Sequence, residues 1–359
     1  MINMTTRTRR EIVMSDMRVT GSYRYRDLFQ IRPIYPYATV LEWPIGHHPL
    51  LLEYRYDVPD SSETTYNPEL PQRMLSSEID NDYSSKAKKW ILLVLSVFSK
   101  GRVFQYPMVH EGQWFIEILH DSKDLEVSSS PLWGYSGYSY QGIDALIDDF
   151  SHEDNASIRH VDTNQYYHTE TPRSYVIGQT ATEFELPDRI TCFLDAYISL
   201  PSKLRKAYLS SCSLFDQGIE LFYRNPSLEF AACVSSLETL IAADYEGQPE
   251  ESCKCCGQPK YKVRQKFLEF IKKYGNDSPK TNKIADKVYG RRSKILHRGQ
   301  LFLGETEPRT IEAADEWLKD DHQRRDVIRF FRVCIINWLI GRHNEQSTPN
   351  NSMNPVMVR

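Results

Sequence analysis

Apolar and polar positions follow two different periods along this chain, and they change over near residue 190. In the second half, Tyr208, Cys212, Phe215, Ile219 and Phe222 recur at i, i+4, i+7, i+11 and i+14, one apolar stripe on a helix. Asn225-Pro226 ends that stripe and opens another, with Asn suited to the cap and Pro to the first turn. Phe230, Val234, Leu237 and Ile241 then repeat the spacing. Val263–Tyr274 predicts a short amphipathic helix with Phe267, Phe270 and Ile271 on one side. Ser278-Pro279 starts a further helix through Ile284 and Val288 to Gly299. After a loop at Leu301–Pro308, two more helices are expected, Ile311–Leu318 and about Arg324–Arg342.

The first half alternates instead. Ser22–Ile31 and Leu50–Asp57 have the period of strands, with Pro-rich turns between them. Pro59–Pro71 is polar and turn-rich. Ser84–Phe98 carries a helical pattern, and Val103–Pro107 with Trp114–Leu119 predicts a hairpin. Ser128–Gly142 is small, aromatic and Gly-rich, which suits a loop. Ile143–Phe150 and Glu183–Asp188 are runs too short to assign. The expected architecture is therefore α+β. A β-rich mixed domain spans 1–190, an all-helical domain spans 191–343, and a polar tail at 344–359 has the composition of a disordered segment.

Composition narrows the function. A net charge of −4 excludes a protein that coats nucleic acid by bulk charge, so any phosphate contact needs a local basic patch. The longest apolar run, Trp90–Phe98, falls far short of the roughly 20 residues of a membrane span. No leader is visible, and the expectation is a soluble cytoplasmic protein with no membrane contact. Cys192, Cys212, Cys233 and Cys334 sit in helical or apolar settings and suggest small core residues in a reducing compartment.

One segment concentrates candidate chemistry: Tyr289–Gly299, YGRRSKILHRG. Ile284, Val288 and Ile295 share one side of a helix, and Arg292 lies close to that apolar stripe. A guanidinium there needs a carboxylate or a partner surface. His297 is about 140° around the helix from Arg292. The two converge only through the reach of Arg, a helix break near Gly290 or Gly299, or a second copy of the chain. An imidazole can accept the proton of an RNA 2′-hydroxyl or protonate a leaving 5′-oxygen, and a guanidinium can hold the scissile phosphate. No metal cofactor is required. The alternative is a basic last turn, Arg291 to Arg298, that complements the helix dipole before Gly299.

The string Tyr289-x-x-Arg292-Ser293-Lys294-Ile-Leu-His297-x-Gly299 resembles the signature of the HEPN superfamily, most closely its Apea-like branch. The resemblance extends to Ser227–Ala243 and to the long helix ending near Trp338, and covers about 200–342. Ser293 stands where Asn, Asp or His is common, and Arg298 intervenes before Gly299. The resemblance implies a metal-independent endoribonuclease whose two Arg/His motifs face each other across a homodimer. It implies an RNA substrate (tRNA included), His297 as general acid/base and Arg292 as phosphate clamp. It also implies a role in bacterial defence, toxin–antitoxin or abortive-infection systems. The alternative is a non-catalytic protein of the same fold that binds RNA or protein.

Several residues surround that motif. Glu238, at the edge of the stripe of Val234, Leu237 and Ile241, either orients Arg292 or is a solvated flank residue. Arg291 and Lys294 would add positive potential, and Tyr289 and Ser293 complete the frame. Cys253-Lys-Cys-Cys256-Gly has the spacing of half a structural zinc site, without a second C-x-x-C to complete it. A loop with reducible thiols is the alternative. His47-His48, His152 and His160 lack ligand-spaced neighbours and are expected at the surface. Trp133–Tyr140 could stack bases or pack on its own domain.

Overall fold

Extended segments fill the first part of the chain and helices the second, an α+β arrangement with a β-rich N-terminal part. The computed structural model describes residues 3–33, 39–42, 45–59, 72–105, 116–117, 146–147, 150, 156–168, 183–222, 224–248, 255, 262–275, 278–305, 314–346 and 352–357. Strands β1 (Met4–Ser15), β2 (Tyr23–Tyr25), β3 (Phe29–Pro33), β4 (Thr39–Glu42) and β5 (Ile45–Pro59) precede helix α1 (Gln72–Phe98). The short strands β6 (Val103–Phe104), β7 (Ile116–Glu117), β8 (Leu146–Ile147) and β9 (His160–Val161) lead to α2 (Thr163–His168) and β10 (Leu186–Pro187). Then come α3 (Ile190–Ser199), α4 (Ser202–Leu221), α5 (Pro226–Asp244), α6 (Val263–Tyr274), α7 (Pro279–Arg298) and α8 (Ala314–Gln346). Two compact units result, Met1–Val161 with Glu170–Pro187, and Asp162–Thr169 with Asp188–Arg359.

In the first unit, β1 and β5 pair antiparallel from Met4 opposite Pro59 to Ser15 opposite His48. The sheet order is β2-β3-β5-β1-β6, with β4 joined to β5 and β7, and β8 to β1. Side chains alternate across it. Arg7 donates to Asp80 of α1 (2.8 Å), Arg9 to Ser84 (2.9 Å), and Tyr54 to Glu11 (2.5 Å). The neighbouring Glu53, fully buried, accepts from Arg10 (2.9 Å).

Three expectations for this unit change. β6 pairs with β1 and β7 with β4, so the predicted hairpin of 103–107 with 114–119 is not formed by the described residues. Helix α1 begins at Gln72 rather than Ser84, because nothing in the polar stretch before Ser84 breaks a helix. His48 lies within β5 and is buried, not in a surface turn, because β5 runs unbroken through Pro49. His152 and Trp133–Tyr140 lie outside the described residues, as does the side chain of His47; His160 is exposed.

The second unit is helical, and its core is the apolar stripes. Tyr208, Cys212, Phe215 and Ile219 of α4, Phe222 at its C-cap, and Phe230, Val234, Leu237 and Ile241 of α5 are all buried. Trp338 of α8 stacks on Tyr208 with ring centroids 5.9 Å apart. Cys212, Cys233 and Cys334 are buried, while Cys192 is exposed: it falls on the outer face of α3, opposite Phe193 and Leu194. Burial pushes the three core thiols up, which makes them inert packing groups.

The two helices expected after residue 310 are one, α8, with 33 residues. Lys319-Asp-Asp-His322 interrupts the apolar pattern without Gly or Pro, and Asp321 bridges to Arg324 (2.6 Å) and Arg325 (2.8 Å) across the turn. Residues 352–357, in the stretch whose polarity predicts disorder, lie against the helices with Val356 buried. No helix among the described residues is long and apolar enough to cross a membrane.

Candidate functional site

Local chemistry fixes both ends of the motif helix. Ser278 caps α7 by accepting from the Thr281 N–H (3.1 Å), and Pro279 fills its first turn. At the other end Gly299 adopts φ 63°, the left-handed region that favours glycine, and its N–H bonds to the Ile295 carbonyl (3.2 Å). Between these caps α7 runs unbroken through Gly290. A helix break there, one of the ways to bring Arg292 and His297 together, is absent.

Arg292 turns to α5. Its Nη2 donates to Oε2 of Glu238 at 2.8 Å, with the two side chains 19% and 21% exposed. This is the carboxylate that an arginine beside an apolar stripe requires, and the solvated-flank alternative for Glu238 does not hold. The pair is held by one hydrogen bond: Nε of Arg292 and Oε1 of Glu238 are buried with no hydrogen-bond partner among the described residues. The guanidinium is thus anchored with part of its donor capacity unused.

His297 lies on the last turn of α7, exposed and making no hydrogen bond or ion pair among the described residues. Lys294 and Arg298 beside it are also exposed. Arg291, expected to add to the same positive surface, is directed elsewhere. Its guanidinium sits 4.3 Å from the Phe302 ring and donates to the Leu301 carbonyl (3.2 Å). Tyr289 packs on Phe267 of α6, ring centroids 5.5 Å apart, and Ser293 is half-buried. Within one chain, then, Arg292 faces a carboxylate on α5 while His297 faces solvent. Cys253 and Cys256 lie outside the described residues. Among the described residues no group of three or more metal-ligating side chains is assembled.

A fastening next to the motif had no counterpart in the sequence reading. Glu305 receives the Ser227 N–H (3.2 Å), the Phe302 N–H (2.9 Å) and the Ser227 hydroxyl. Phe302 donates to Ser227 Oγ as well (2.9 Å), and its ring meets Phe230 edge-on at 5.6 Å. A carboxylate at the first turn of α5 complements the helix N-terminus. The signal available was Leu301, Phe302 and Leu303, apolar residues in a segment expected to be loop. Comparisons with known proteins return nothing: no family model, curated protein or solved structure matches this chain.

Proposed function

We propose that the helical unit is a metal-independent endoribonuclease of the HEPN type that cleaves RNA, tRNA among its candidate substrates, as a homodimer in bacterial defence or abortive infection. The observation that carries this reading is the exposed, unbonded imidazole of His297. It lies about one and a half turns beyond an arginine that a neighbouring helix holds in place.

In this reading His297 takes the proton from the 2′-hydroxyl, whose oxygen attacks the adjacent phosphorus, and the bond to the 5′-oxygen breaks as that oxygen gains a proton. Arg292, whose side chain keeps part of its surface open to solvent, offsets charge on the phosphate oxygens. Lys294 and Arg298 supply the local positive potential that a chain of net charge −4 otherwise lacks. Two copies placing their α7 ends together would line one cleft with both motifs, removing the angular separation of Arg292 and His297.

The test is cleavage of labelled RNA, tRNA included, by the full chain and by His297→Ala. The substitution is expected to lower the rate about 10²–10⁴-fold, the usual contribution of a general acid/base, with melting and oligomeric state unchanged. A wild-type chain that cleaves no RNA overturns the enzyme reading. The Arg292–Glu238 bond favours a second reading, a non-catalytic binding or scaffold protein in which Arg292 is structural. That reading expects His297→Ala to change nothing and Arg292→Ala to destabilise the fold as strongly as the loss of a fully buried pair.

A further inference from the structure

Two asparagines of α8 hold a stretch of chain by its backbone. Asn344 donates from Nδ2 to the Met353 carbonyl (2.8 Å) and accepts the Met353 N–H at Oδ1 (2.7 Å). Asn337 does the same for Val356, at 2.9 and 2.7 Å. Its second amide hydrogen goes to the Tyr274 carbonyl (2.9 Å). Asn164 of α2 accepts from the Met357 N–H (3.1 Å). A carboxamide that meets both the N–H and the C=O of one residue imitates the edge of a β-strand, so it recognises backbone, not a particular side chain.

The two clamps are in register with an extended peptide. Asn337 and Asn344 are seven residues apart, so they share one face of α8 and stand about 10.5 Å apart along its axis. Met353 and Val356 are three residues apart, a span of about 10 Å in extended chain. Pro355 fixes its own φ near −65° and biases Asn354 towards extended backbone. In such a chain of about three residues per turn, positions 353 and 356 fall on the same side. Exposure follows this: Val356 is 2% exposed and Met353 half-buried, while Asn354 and Pro355 are exposed.

The groove also needs an occupant. Asn337 is 7% exposed and lies between Ile336 and Trp338, both buried. With the peptide gone, its Oδ1 and one N–H would be left in an apolar setting without partners, which is unfavourable. The segment that satisfies them follows α8 in sequence after residues 347–351, and six residues are too few for a core of their own. The demand for a peptide is built into the helix, whereas the peptide that meets it comes from outside the helix.

We propose that this face of α8 is a peptide-binding site. Residues 352–357 fill it as a built-in ligand that gives way to an extended segment of another protein with the same chemistry. That segment carries a proline followed at once by a β-branched apolar residue, and its backbone is clamped at that residue and three positions before it. The inference stands independently of the ribonuclease reading, since it uses neither Arg292 nor His297.

The probe is a fluorescent peptide of residues 350–359, added to the full chain and to full-chain Val356→Asp, which puts a charge into the buried position and frees the groove. Belonging to the same chain, the internal segment competes with an added peptide as an intramolecular ligand. The wild-type chain is therefore expected to exclude the probe, and Val356→Asp to bind it at least 100-fold more tightly. Adding Asn344→Ala should weaken that binding about tenfold, the effect of losing two ordinary hydrogen bonds. Folded Val356→Asp that does not bind, or binding indifferent to Asn344→Ala, overturns the proposal. If Val356→Asp does not fold, a full chain with a protease site at residues 348–350 is folded and then cut. Exchange of the cut segment for the probe supports the proposal, and a cut segment that stays in place against excess probe refutes it.

Discussion

Helix α5 offers one glutamate to each of two arginines, and the two pairs are used differently. Glu229 and Glu238 are nine residues apart, about half a turn around the helix. Glu229 is fully buried and meets Arg324 of α8, itself 6% exposed. Arg324 also donates to the Phe222 carbonyl (3.0 Å) and to Asp321 (2.6 Å), and lies 4.5 Å from the Phe222 ring centre. Glu238 meets Arg292 through a single bond, with both partners about one-fifth exposed and hydrogen-bonding atoms left over. An arginine beside an apolar stripe is therefore not in itself a mark of function. The difference between a bolt and a tool here is solvent access combined with the number of acceptors each arginine meets: three for Arg324 and one for Arg292.

That contrast can be broken by experiment. Arg324→Ala removes the arginine that faces the fully buried Glu229 and is expected to destabilise the helical unit by about 3–5 kcal/mol, measured by denaturant unfolding. Arg292→Ala breaks a pair that water can partly rescue, and about 1 kcal/mol is expected in the same experiment. Equal losses from the two substitutions would make Arg292 a scaffold residue and sink its proposed role. The smallest effect is on pH dependence. Burial draws the Asp321 carboxyl up, but hydrogen bonds from Arg324 and Arg325 outweigh it and hold it below its ordinary value. A depressed carboxyl contributes stability above its unfolded pKa, about 3.9, and loses it as pH falls through the folded value. Melting of the wild type should decline below about pH 4, and Asp321→Asn should flatten that decline. An unchanged slope in Asp321→Asn would show that the pair does not carry it.

What the sequence disclosed follows from range. Asn225-Pro226 and Ser278-Pro279 mark helix starts because each cap is made within three residues. The Arg292–Glu238 bond was foreseeable because a guanidinium beside Val288 and Ile295 must find an anion, and Glu238 borders the facing stripe. By contrast β1 carries Arg7, Arg9, Arg10 and Glu11, whose partners on β5 and α1 lie 43 to 77 residues away, so its central place was hidden. Nothing in the sequence singled out Asn337, and Asn344 fell at the start of the polar tail expected to be disordered. Only the folded chain shows that Met353 and Val356 come back to them. The bonds of Glu305 to Ser227 were invisible for the same reason.

That last contact sets how the motif helix comes apart. Residues 227 and 305 are 78 positions apart, and between them lie most of α5 and the whole of α6 and α7. Glu305 is the clasp of a necklace. Closing a loop of that length costs entropy that grows only as the logarithm of its length, and it is lost once for all three helices. The helices should then open together, as one cooperative block. In a hydrogen-exchange measurement, Glu305→Ala should speed the amides of α5, α6 and α7 by a common factor and leave those of α3 and the first turns of α4 unchanged. His297 would then keep its position because of a carboxylate it never touches.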